Sequence, residues 1–199
     1  MSITRKTLLE RVKQPGDEQA WDEFYGLYAP LLYRYARSLG ASTEDALEVR
    51  DRCLEVLVRR LPDFDYDRNR GSFQGFLHRI VRGVVIDLRR GRRAHALDTD
   101  QWYAMPDEQL RPDQVWERTW LHGHLLYCLR EVEAQLPPLT VKAFRMLLLE
   151  DADVKAVSRE LGLTPNQVYK AKARVLGQVR RRLRSLGLAG ELEQEFRIP

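Results

Sequence analysis

Asn166, Lys170 and Arg174 stand four residues apart in a stretch that holds, from Leu161 to Gly190, seven Lys or Arg and no Asp or Glu. Spacing by four puts them on one face of a helix, with Gln167, Tyr169 and Lys172 beside them. Amide and guanidinium groups are the side chains that reach base edges in a DNA major groove, and cationic groups attract phosphates. The predicted chemistry is therefore binding, with a solvated basic amphipathic helix as the plainer alternative. Covalent chemistry finds no comparable footing: there is no nucleophile–base pair, phosphate-cradling glycine loop or metal cluster. His122-Gly123-His124 invites a metal reading, but no carboxylate or cysteine cluster accompanies it. The chain reads as a non-enzyme that uses no cofactor. Metal-dependent cleavage of nucleic acid through His78, His95 or the His122/His124 pair is a distant alternative.

The elements that must position this face are two short helical patterns meeting at a turn. Val154–Leu161 is followed by Gly162, which suits a left-handed helix end, then by Thr164 as a cap and Pro165 in the first turn of the next helix. Val157, Leu161, Leu163, Val168 and Ala171 supply the contacts between them, with the small Ser158 at the crossing, and Val168, Val175 and Val179 face inward. That is the layout of a helix-turn-helix, whose second helix enters the major groove.

The rest of the chain is read as helices around two cores. Its 199 residues are 44% hydrophobic and 31% charged, with a net charge of only +4, so basic character is local. Arg68–Arg93 holds eight arginines against one acid, Asp87, whereas Ala94–Trp120 holds six acids and two arginines. Two basic blocks separated by an acidic one suit two nucleic-acid contacts joined by a connector. Cys53 and Cys128 read as reduced core residues. No apolar run reaches membrane-spanning length and no signal-peptide core is present, so the expectation is a cytoplasmic protein without membrane partners.

In order, Thr4–Lys13 is a short helix. Asp17 caps a second, where Trp21, Phe24, Tyr25, Tyr28, Leu31, Leu32, Tyr35 and Leu39 form a core stripe ending at Gly40. Ser42 opens a third helix through Leu61, with Leu47, Leu54, Val58 and Leu61 inward and a charged stripe of Glu44, Glu48, Asp51, Arg52, Glu55 and Arg59 outward. Such a stripe is either a solvated face or a docking face. Ser72 caps a helix to about Arg93, with Phe73, Phe76, Leu77, Ile80, Val84 and Leu88 inward and His78, Arg79, Arg82, Arg89, Arg90 and Arg93 opposite. Pro112-Asp113 starts a helix containing Val115, Trp116, Trp120, Leu125, Leu129 and Val132. Pro137-Pro138 breaks it before Thr140–Leu149, whose Val141, Phe144 and Leu148 are expected to face the helix-turn-helix.

Trp21–Leu39, the helix ending Arg59-Arg60-Leu61-Pro62-Asp63-Phe64-Asp65, and Arg70–Arg90 resemble the polymerase-binding domain of bacterial sigma factors. They are most similar to the extracytoplasmic-function group. Leu136–Arg184 resembles that group's second domain. The resemblance implies an all-α chain of two helical domains joined by a linker. Residues 1–94 would be a region 2-like domain for core polymerase binding and minus-ten recognition and melting, 95–112 an acidic linker, and 113–199 a region 4-like helix-turn-helix domain for minus-35 recognition.

The resemblance implies roles residue by residue. Glu44, Glu48, Arg50, Asp51 and Glu55 would grip the clamp helices of the largest polymerase subunit. Phe64 and Tyr66 would hold a flipped base, while Arg79, Arg82, Gly83, Asp87, Arg89 and Arg90 would serve the minus-ten strand. Thr164, Asn166, Gln167, Tyr169, Lys170, Lys172 and Arg174 would serve minus-35 DNA. Departures from the family pattern are Leu47 in place of an acid, Arg50-Asp51 in place of Gln-Glu, and Gly83 in place of Asn. The implied partners are core RNA polymerase, promoter DNA and an anti-sigma factor. The rival reading is a helix-turn-helix transcription regulator that binds DNA without engaging polymerase.

Overall fold

The computed structural model describes residues 6–14, 16–62, 73–91, 113–148 and 150–186. These form eight helices: α1 (Lys6–Val12), α2 (Glu18–Ser38), α3 (Thr43–Arg60), α4 (Phe73–Gly91), α5 (Gln114–Ala134), α6 (Pro138–Leu148), α7 (Val154–Leu161) and α8 (Pro165–Ser185). The all-α expectation holds among the described residues. The chain divides into two compact units, Met1–Gly123 and His124–Pro199. The sequence reading began the second domain at Asp113. In the structure the aromatic side chains of the first turns of α5 are buried within the first unit, so the division falls inside that helix.

Local chemistry sets the helix ends. Asp17 caps α2 by accepting from the Ala20 amide at 2.9 Å, and Gly40 turns the chain at φ +87°. Ser42 caps α3 by accepting from the Asp45 amide at 3.0 Å. Asp17 also receives two hydrogen bonds from the Arg11 guanidinium, 2.9 and 3.0 Å, which clip α1 to the start of α2. Arg11, then the Ala20 amide, hold the Asp17 carboxyl below its ordinary value of 3.8. A depressed carboxylate stabilises the fold above that value and loses its effect as the pH falls below it. The protection of the Leu8–Val12 amides, relative to their intrinsic exchange rates, is therefore expected to fall selectively below pH about 4, and Asp17→Asn should produce the same fraying at neutral pH.

The core of the first unit is aromatic. Phe24, Tyr28, Leu31, Leu32 and Tyr35 of α2 are buried, as are Phe73, Leu77, Ile80 and Val84 of α4 and Trp116 and Trp120 of α5. Tyr28 lies edge-on to Phe73 at 5.4 Å and beside Trp120 at 5.8 Å, and Tyr35 lies edge-on to Trp116 at 4.8 Å. Tyr25, expected in this stripe, is instead 51% exposed. Gly123 permits the close approach of α5 to α2: a Cβ there would fall 3.0 Å from Leu31 Cδ1 and 3.3 Å from its Cγ. Leu31 is fully buried, so it would have to shift by a few tenths of an ångström within a packed core. Gly123→Ala should therefore lower stability by about 1 kcal/mol in urea unfolding, because overpacking outweighs the gain in helix propensity.

Three inward faces differ from expectation. On α3 the buried residues are Ala46, Val49, Cys53 and Leu57, whereas Leu47 is 39% and Val58 53% exposed and Leu54 is half-buried; Leu61 is buried as expected. Apolar residues occur at helical spacing in both frames, and packing against α2 and α4 selects one. On α4, His78 is fully buried rather than on the basic face. It bonds Tyr35 Oη at 3.1 Å, and the Tyr35 hydroxyl donates to Asp113 Oδ2 at 2.9 Å. The phenol has one proton, so His78 Nε2–H is the donor to it. Burial, then the bond to Asp113, pushes the Tyr35 phenol well up, which keeps it a donor. On α6, Val141 is half-buried and Leu148 44% exposed; Ala143 and Met146 are the buried residues that pack on Val157, Val168 and Ala171.

Candidate nucleic-acid interface

The second unit carries the turn expected from the sequence. Asp153 caps α7 by accepting from the Ala156 amide at 2.7 Å. Gly162 ends it in the left-handed region, φ 65° and ψ 27°, with its N–H donating to the Ser158 carbonyl. A side chain at that conformation would cost about 1–2 kcal/mol. Thr164 then caps α8, Pro165 occupies its first turn, and Thr164 and Gln167 cap each other reciprocally. The Thr164 amide donates to Gln167 Oε1 at 2.7 Å, and the Gln167 amide donates to Thr164 Oγ1 at 3.3 Å. Val157, Val168 and Ala171 bury the crossing with Ala143 and Met146, and Leu161 and Leu163 close its edge.

One side of α8 is thereby committed to the core: Val168, Ala171, Val175, Val179 and Leu183 are buried. Asn166, Gln167, Tyr169, Lys170 and Arg174 are exposed and Lys172 is half-buried. Gln167, Lys170 and Arg174 come together along a groove of about 460 Å³ whose other wall includes Leu139 and Thr140 of α6. Lys172 lies about 140° around the helix from Gln167, and Tyr169 is on that far flank as well. The seven residues named from the sequence thus do not make one surface. Thr164 and Gln167 set the helix start, Asn166, Lys170 and Arg174 share the solvent side, and Tyr169 and Lys172 stand apart. Leu139 and Thr140 were not named from the sequence, where nothing in α6 marks them as neighbours of α8.

In the first unit, Glu44, Glu48, Asp51 and Glu55 are exposed on α3, and Arg50 is partly so. Arg50 binds its neighbour Asp51 through Nε at 2.7 Å and Nη2 at 3.0 Å; that carboxylate holds the Arg50 guanidinium above its ordinary value. Arg52 reaches Glu48, and Arg59 lies 3.9 Å from Glu55. Exposed pairs of this kind contribute about 0–1 kcal/mol and exchange readily for a partner's charges. Leu47 and Val58 lie exposed beside them, so the face is acidic and apolar together.

Along α4, Arg79, Arg82 and Asp87 are half-buried, Gly83 is buried, and the Arg89 guanidinium donates to the Leu39 carbonyl at the end of α2. Phe64, Tyr66 and the linker 95–112 lie outside the described residues, as does the Arg90 side chain. His122 is exposed and His124 buried, and two residues along a helix turns them about 200° apart, so they cannot share one ion.

These helices have a counterpart among known proteins. Residues 24–95 match the sigma-70 region 2 family, spanning α2 to the end of α4. The likeness to sigma-70 region 2 covers this segment of the chain. Over 154 residues it is 29% identical to the ECF RNA polymerase sigma factor SigE of Mycolicibacterium smegmatis, an alignment covering 74% of this chain and 56% of that protein. The chain spans just over half the length of that relative. Among the described residues, no helix is long and apolar enough to cross a membrane.

Proposed function

We propose that this protein directs core RNA polymerase to a subset of promoters and opens them for transcription initiation. The observation that carries the reading is the region 2 match on residues 24–95, followed in the same chain by a second helical unit whose capped, acid-free basic helix suits duplex DNA. The face of Glu44, Leu47, Glu48, Asp51, Glu55 and Val58 would dock on polymerase. The α4 arginines that remain at the surface would hold the unpaired minus-ten strand, with Phe64 and Tyr66 as the base-holding aromatics. The turn from Gly162 and helix α8 would act as the helix-turn-helix that reads minus-35 DNA. Promoter opening would be driven by binding free energy, since the open strand gains contacts that the duplex cannot make. An anti-sigma factor would regulate it. A rival reading as a polymerase-independent regulator leaves the region 2 match without a purpose.

The test is a complex with core RNA polymerase and transcription from a genomic promoter library. Specific transcripts that vanish with Glu48→Arg or Asp51→Arg are the expected result. Duplex DNA binding with no polymerase complex would overturn the proposal and favour the regulator.

A further inference from the structure

The groove between α6 and α8 carries a more specific assignment, which rests on the proposal that α8 binds duplex DNA. Its walls combine Leu139, Leu163 and Thr140 with Gln167, Lys170 and Arg174, and no acid lines it. Every polar group offered is a donor. Lys170 and Arg174 have no acceptor atom, and Thr140 carries a hydroxyl. Gln167 would ordinarily offer both a donor and an acceptor, but its Oε1 is occupied by the Thr164 amide at 2.7 Å and the Thr164 hydroxyl at 2.9 Å. An amide N–H can only donate, so the atom facing it must be the oxygen, and the Nε2 group is the end left available. The bidentate pairing of Gln with adenine needs both atoms and is closed to this side chain.

We propose that this groove seats the sugar–phosphate backbone of one DNA strand, with Gln167 Nε2, Arg174 and Thr140 as phosphate donors. Base reading then falls to Asn166 on the solvent side of α8, with Lys170 at the groove's rim. The matching chemistry is that of an acceptor-only anion: a phosphodiester presents oxygens and no donor, and its charge complements the two cations. Gln167 so becomes a positioning contact, fixing register without carrying sequence information.

Gln167→Glu isolates the claim. Glutamate keeps the reciprocal cap with Thr164, so α8 stays folded, but it replaces the donor with a carboxylate oxygen facing phosphate. Holoenzyme reconstituted from the full chain would be measured against a randomised minus-35 library at several salt concentrations. Gln167→Glu should weaken binding about tenfold for every sequence with the rank order unchanged, the behaviour of a contact to phosphate. Arg174→Gln should weaken all sequences and reduce the salt slope by about one. A changed preference at a single base position in either variant would overturn the assignment and make that residue a base reader. Unchanged affinity in both variants would overturn it too, and loss of binding to an acidic protein partner alongside would give the groove to that partner. If Asn166→Ala and Lys170→Ala also leave duplex binding untouched, the parent reading of α8 has failed as well.

Discussion

Trp116→Ala is expected to destabilise the first unit by about 3–5 kcal/mol, the range for truncating a fully buried tryptophan. Trp116 has no exposed surface and meets three rings: Tyr35 at 4.8 Å, His78 at 5.2 Å and Trp120 at 5.9 Å. Its loss opens a void beside the Tyr35–His78–Asp113 hydrogen bonds, and a void leaves the lining atoms without partners. It also loosens the start of α5, where Asp113 Oδ1 accepts from the Trp116 amide at 2.7 Å. Trp116→Phe separates packing from polarity. The indole Nε1 has no hydrogen-bond partner among the described residues, so phenylalanine keeps much of the ring contact and removes a donor that gains nothing. Its cost should be about 1 kcal/mol, well under that of alanine. Urea unfolding followed by amide exchange in α2 and α4 would separate the two, and equal costs would show that the ring contacts contribute little.

The second large effect concerns binding rather than folding. Leu47→Asp should leave stability within about 0.5 kcal/mol of the parent, because the side chain is 39% exposed and fills no cavity. If α3 docks on polymerase as proposed, the same change should weaken the complex with core enzyme by about 2 kcal/mol, or roughly thirtyfold. An apolar residue among exchangeable surface ion pairs is the natural anchor of such a face, since those pairs contribute little by themselves. Leu57→Asp serves as the contrast: Leu57 is fully buried, and a carboxylate there should unfold the unit. A Leu47→Asp protein with unchanged polymerase affinity would move the docking face off this side of α3.

What the residues alone determined was local or strongly periodic. The turn between α7 and α8 was legible because Gly162, Thr164 and Pro165 act on backbone groups within four residues of themselves, and no distant contact can change that chemistry. The aromatic core of α2 and α4 was legible because Phe24, Tyr28, Tyr35 and Phe73 are too large and apolar to be left in water at such regular spacing. Faces that could be occupied in two ways were not legible. Leu47 and Val58 follow helical spacing as well as Val49 and Cys53 do, and only the surfaces of α2 and α4 chose between the frames. His78 reads as part of a basic stripe until Tyr35, Asp113 and Trp116, remote in the chain, close around it. Gln167 reads as an amide with both ends free until its oxygen is seen to be held by Thr164. Helix ends answer to chemistry within a turn of the chain, whereas the direction a side chain faces is set by neighbours that only folding brings together.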